Sequence, residues 1–73
     1  MNHEFDLSGQ DFIELCNLLK VSGACQTGGH AKLEISEGLV KVDGAQELRK
    51  RCKIRVNQVV EYEDFKIKVI DTK

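Results

Sequence analysis

Proline and tryptophan are absent, methionine and tyrosine occur once each, and aromatic residues make up only 5% of the chain. Nothing in it is proline-rich or of low complexity, so neither a linker nor a disordered tail is indicated. With 41% apolar and 32% charged side chains in 73 residues, the composition is that of one small domain, residues 1–73, built on a single core. A chain this short buries only about 60% of the surface its unfolded form exposes. A deep pocket would compete with the core for the same side chains, and an elaborate enzyme site is not expected. Long apolar runs are missing too. The run from Leu15 to Leu19, interrupted by Asn17, falls far short of the roughly 18 residues of a membrane helix, so no membrane partner is expected. The N-terminal residues Met1 to Asp6 carry two acids and no lysine or arginine, unlike a secretory leader, and point to a cytoplasmic location.

Cysteine is scarce and odd in number. Cys16, Cys25 and Cys52 lie 9 and 27 positions apart, which suits neither a disulfide framework nor a zinc ribbon. Reduced thiols are expected, Cys16 in the core and Cys52 in a sheet, with no metal and no cofactor. No cysteine–histidine pair has local nucleophile spacing, and Ser8, Ser22 and Ser36 suit caps, turns or a helix surface, so no catalytic residue is assigned.

Charge is unevenly spread along the chain. Residues 1–47 carry three lysines against eight acids, a net of −5, while residues 48–73 carry eight bases against four acids, a net of +4. Five of those bases fall within Arg49-Lys50-Arg51-Cys52-Lys53-Ile54-Arg55, where there is no acid. A polyanion feels charge within a Debye length of about 8 Å, so the overall net of −1 does not argue against nucleic acid.

Periodicity supplies the elements. After an extended segment near Glu4 to Leu7, Ser8 and Asp11 have the spacing of a helix start, and Phe12, Leu15, Cys16 and Leu19 recur as one buried helical face. Ser22-Gly23 ends that helix. Thr27 caps a second, exposed helix through Glu37, and Gly38 closes it. The period then falls to two: Val40 and Val42 alternate with Lys41, Asp43-Gly44 turns, and Ala45 to Lys50 is irregular. Cys52, Ile54 and Val56 alternate with Lys53 and Arg55. Asn57-Gln58 turns into Val59 to Tyr62, and Glu63-Asp64 turns into Phe65, Ile67 and Val69. Tyr62 and the phenylalanines fall on buried faces, which leaves no aromatic platform for stacking bases. The fold class is α+β, two packed N-terminal helices and a small antiparallel sheet with one apolar face.

Two segments carry binding chemistry. In Gln26-Thr27-Gly28-Gly29-His30-Ala31-Lys32, consecutive glycines in a first helical turn each cost up to about 1 kcal/mol of helix propensity. One reason for them is bare backbone, whose N–H groups at the positive end of the helix dipole admit a phosphate beside Lys32. The other is a tight turn or a close approach between helices. His30 reads as a surface residue without a task. The second segment is the basic run from Arg49 to Arg55, whose anchored strand would hold its cations as a fixed ridge.

Taken together, a helix, Thr27-Gly28-Gly29-His30-Ala31-Lys32, Gly38-Leu39-Val40-Lys41-Val42-Asp43-Gly44 and Glu47-Leu48-Arg49-Lys50-Arg51-Cys52-Lys53 resemble the alpha-L RNA-binding motif of ribosomal protein S4. The similarity is greatest to the minimal, free-standing YbcJ-like RNA-binding proteins and covers about Leu15 to Val69. The resemblance implies two packed N-terminal helices against a small curved antiparallel sheet, with RNA held across the second helix, the loop before it and the adjoining strand turn. Gly28 stands where many members of the wider family have arginine, and Asn57-Gln58 replaces the usual Gly-Asp turn. Contact is therefore expected to shift toward backbone amides and the basic run. The expected RNA-binding residues are Gln26, Thr27, Gly28, Gly29, Lys32, Lys41, Arg49, Lys50, Arg51 and Lys53, converging into one anion-gripping groove. The expected partner is structured RNA, ribosomal or tRNA-like, with the ribosome a further candidate, and the expected state is a monomer. The alternative is a protein-interaction module with separate acidic and basic faces.

Overall fold

A computed structural model describes residues 2–73. The chain runs β1 (Asn2–Asp6), β2 (Ile13–Glu14), α1 (Leu15–Val21), α2 (Gly28–Ser36), β3 (Val40–Val42), β4 (Ala45–Gln46), β5 (Lys53–Ile54), β6 (Val59–Tyr62) and β7 (Phe65–Ile70). Five strands form one sheet in the order β1-β7-β6-β3-β4, while β2 and β5 pair in a separate ladder. Both helices pack on one face of the large sheet. Leu15, Leu18, Leu19, Ala31 and Ile35 join Val40, Val60, Tyr62, Ile67 and Val69 in a single buried cluster, the expected α+β arrangement.

Local chemistry sets the turns that frame this core. Asp43 at φ +53° and Gly44 at φ +84° form a two-residue hairpin turn whose left-handed pair matches the twist of the flanking strands. The Asp43 carboxylate also accepts from the Val59 amide at 2.9 Å and from Gln58 Nε2 at 3.2 Å, which ties the end of β3 to the start of β6. At the end of α2, Gly38 takes φ +79° as expected for a helix-closing glycine, and its carbonyl accepts from Gln46 Nε2 at 3.0 Å.

Several expectations are corrected. The first helix begins at Leu15, not near Asp11, because Ile13 and Glu14 are drawn into a ladder opposite Ile54 and Lys53. Ser8 caps nothing; it lies in a turn at φ +53°, its amide donating to Asp6 Oδ1 at 2.8 Å. The sheet is mixed, since β1 runs parallel to β7 with Asn2–Asp6 opposite Lys66–Ile70. Asp6 fastens that pairing by accepting from the Thr72 hydroxyl at 2.6 Å, and this bond above all holds its carboxyl below the ordinary 3.8. Finally, the basic strand is short. β5 stops at Ile54, Val56 is 45% exposed, and Cys52 sits half-buried ahead of the strand instead of within the sheet.

Gly38 offers the sharpest test of the helix-to-sheet junction. A Cβ there would collide with the Gln46 side chain and hold alanine in the left-handed region. Gly38→Ala is expected to cost about 2 kcal/mol, or roughly 8–16 °C in melting temperature for a domain of this size. A melting temperature within 2 °C or so of the wild type would contradict this account of the junction.

Candidate nucleic-acid interface

The start of α2 is built as its sequence indicates. Thr27 is extended at φ −138°, its Oγ1 accepts from the His30 amide at 3.0 Å, and its carbonyl accepts from the Ala31 amide at 3.0 Å. The amides of Gly28 and Gly29 meet no acceptor among the described residues. Neither glycine has a positive φ. A Cβ at Gly28 would meet nothing within 4 Å, and one at Gly29 only Thr27 Oγ1 at 3.9 Å. Neither a tight turn nor a close approach requires these glycines, and bare backbone at the positive end of the helix remains as the reason for them. Lys32 is half-buried one turn further along, on the face it shares with Gly28 and Gly29, and has no carboxylate partner among the described residues.

His30 has a structural task that its sequence context did not reveal. Its Nδ1 accepts from the Gln26 amide at 3.4 Å while Nε2 meets Glu34 Oε1 at 3.0 Å. Both bonds are satisfied by the neutral tautomer protonated at Nε2, an assignment made from these contacts. The ring thereby clasps exposed Gln26 and the Thr27 cap onto α2.

The basic loop is positioned by its backbone. The carbonyls of Cys52 and Lys50 accept from the amides of Leu15, at 2.9 Å, and Cys16, at 3.2 Å. These are free donors at the start of α1, where Glu14 provides no side-chain cap. With its carbonyls turned to the helix, the loop exposes Arg49, Lys50 and Arg51, and Arg49, Arg51, Cys52 and Lys53 line a shallow concavity. Arg49 is partly occupied. Its Nε donates to Glu47 Oε2 at 3.0 Å and its Nη2 to Glu47 Oε1 at 3.1 Å. These bonds, with the Arg49 amide, pull the Glu47 carboxyl down from 4.5 to about 2. Lys50, Arg51, Lys53 and Arg55 have no carboxylate within ion-pair distance among the described residues.

Two residues outside the expected set belong to this surface. Phe12 is half-buried just before β2, not in the core, with Lys53 Nζ 5.0 Å and the Arg55 guanidinium carbon 5.7 Å from its ring centre. Its place in an apolar helical pattern hid it, because that pattern extended the helix three residues too far.

The expected residues do not all meet. The basic loop is anchored at the start of α1, whereas the connection into Thr27 leaves its end, where the Cys25 amide donates to the Leu19 carbonyl at 3.0 Å. Leu15 and Leu19 are four residues apart, so these anchors lie about 6 Å apart along α1. The two arms therefore attach to the helical layer at opposite ends of α1. Lys41 lies on the outer face of the sheet, opposite Gln46 and Glu61, because Val40 and Val42 take the inner face.

This geometry has relatives. A family model, that of the S4 domain, matches residues 5–70, and the chain belongs to the S4-domain family. Among individual proteins, it is similar to YbcJ of Escherichia coli (strain K12) and to YbcJ of Shigella flexneri. Each is 47% identical over 66 residues, covering 90% of this chain and 94% of the relative. The solution structure of the Escherichia coli protein, described as revealing an αL motif involved in RNA binding, superposes with a TM-score of 0.72 at 46% identity. That match covers 92% of this chain and 85% of the other.

The Glu47–Arg49 fork makes a prediction about acid stability. The folded pKa lies below the unfolded one, so the pair contributes stability above pH 4.5 and loses it as pH falls toward 2. Arg49 is 77% exposed, so solvent screening keeps that contribution small. In urea titrations, the stability advantage of the wild type over Glu47→Gln is expected at pH 6 and should be gone at pH 2. An advantage that is constant across that range would refute the pairing.

Proposed function

We propose that this chain is a non-enzymatic RNA-binding protein of the cytoplasm that grips structured RNA, ribosomal or tRNA-like, mainly through its phosphates. The observation that carries the reading is the pair of acceptor-free amides at Gly28 and Gly29, beside Lys32, on glycines that neither backbone conformation nor packing requires. Membership of the S4-domain family and likeness to an αL structure described as involved in RNA binding support it. In this reading Gln26, Thr27, Gly28, Gly29 and Lys32 hold phosphates at the start of α2. Lys50, Arg51 and Lys53 hold others along the same strand, and Arg49 joins them once RNA competes with Glu47. Lys41 approaches from the sheet side. The protein acts as a monomer, with the ribosome a candidate site of action.

Fluorescence anisotropy with labelled bulk tRNA and ribosomal RNA fragments, across a salt series, tests the surface. Reversing charge at Lys32 and Arg51 together is expected to weaken binding about a hundredfold and to reduce the salt slope by about two, with circular dichroism unchanged. Unaltered affinity in that folded variant defeats the reading, and so does a partner that survives ribonuclease and hardly responds to salt.

A second prediction sets stability against binding. Replacing Gly28 and Gly29 by alanine should raise the melting temperature by several degrees, because each change improves helix propensity by up to about 1 kcal/mol. The same variant should bind RNA about tenfold more weakly, because the new methyl groups cover the amides. A stabilised variant with wild-type affinity would remove the functional reason given for the glycines.

A further inference from the structure

Two cations of the basic segment are held by an aromatic ring. The ladder that sets Ile13 opposite Ile54 and Glu14 opposite Lys53 brings Phe12 alongside Arg55. Ile54 is fully buried, so Lys53 and Arg55 both project outward, and both lie over Phe12, at 5.0 Å and 5.7 Å from its centre. Arg55 is fastened further: its amide donates to Gln58 Oε1 at 2.7 Å, and its Nη1 to the Asp11 carbonyl at 3.5 Å.

We propose that Phe12 is a positioning residue for RNA, its ring fixing Lys53 and Arg55 side by side as contacts to the phosphate backbone. The proposal rests on the RNA-binding reading above and extends that surface to Arg55. Long basic side chains lose rotamer freedom when they engage a phosphate, and a side chain already ordered loses less. A carboxylate can order a cation only by cancelling its charge, as Glu47 does for Arg49. The negative face of an aromatic ring orders the cation and leaves its charge intact. Phe12 is thus the partner a phosphate-binding pair requires, and neither Lys53 nor Arg55 has a carboxylate within ion-pair distance among the described residues.

A thermodynamic cycle tests this with labelled bulk tRNA and labelled ribosomal RNA fragments as probes. Phe12→Leu keeps the apolar bulk and loses the ring, and is expected to weaken binding about three- to tenfold. Phe12→Tyr should restore wild-type affinity. In a Lys53→Gln/Arg55→Gln background, Phe12→Leu should have no further effect. An equal loss in both backgrounds overturns the proposal, since the ring would then act by packing or by stacking on a base. Proton NMR of the free wild type gives a check that needs no variant to fold. The Lys53 Hε and Arg55 Hδ resonances should be shifted upfield by the ring, and unshifted resonances overturn the proposal. Failure of the wild type to bind either probe overturns the RNA-binding reading and this inference with it. Binding without coupling in the cycle overturns the inference alone.

Discussion

Two amides at the start of α1 fix the basic segment. Leu15 and Cys16 donate to the carbonyls of Cys52 and Lys50 across more than thirty residues of sequence, and much else follows. With its first donors met by a distant loop, α1 needs no side-chain cap and begins only after β2 has paired with β5. The loop's carbonyls face the helix, which is the favourable sense for its dipole, and its side chains are left to face solvent. Five bases in seven residues repel one another, and a free loop of that composition would be disordered. Backbone capping orders it without a carboxylate for each cation.

The parts legible in the sequence were those whose cause is local. Thr27, Gly28 and Gly38 announce the limits of α2 because a cap hydroxyl and a left-handed closing residue act within one turn. Asp43-Gly44 announces its hairpin for the same reason, and the alternation correctly set Lys41 on the face opposite Val40 and Val42. The misread parts have distant causes. Ser8 and Asp11 imitate a helix start, yet the true start is set by carbonyls at Lys50 and Cys52. The parallel pairing of β1 with β7 joins the two ends of the chain, and nothing within Asn2–Asp6 encodes the direction of its partner. Of the candidate site, the residue types were readable, while their division between the two ends of α1 was not, because it depends on where the loop docks.

The two arms of the proposed surface hold charge by different means. At α2 the positive potential comes from unpaired amides, and the glycines that expose them weaken the helix, a conflict between local propensity and structure expected at a functional site. At the loop the potential comes from full charges whose order must come from elsewhere. Carbonyl capping provides it for the backbone, and a ring provides it for Lys53 and Arg55.

Glu47 is the exception that clarifies the rest. Its fork on Arg49 is the one carboxylate contact made by the five clustered bases among the described residues, and it lies at the edge of the loop nearest the sheet. There it orders the entry into the loop through the Arg49 amide as well as the guanidinium. Deeper in the segment the same device would cancel the potential that the chain, at a net charge of −1, can raise only locally. The other acids of the first 47 residues, Glu14 opposite Lys53 among them, make no ion pair with the loop among the described residues. A slightly acidic protein can in this way present a uniformly cationic strip. What matters to a polyanion within a Debye length is which charges remain uncompensated, and among the described residues the fold leaves Lys50, Arg51, Lys53 and Arg55 without a carboxylate partner.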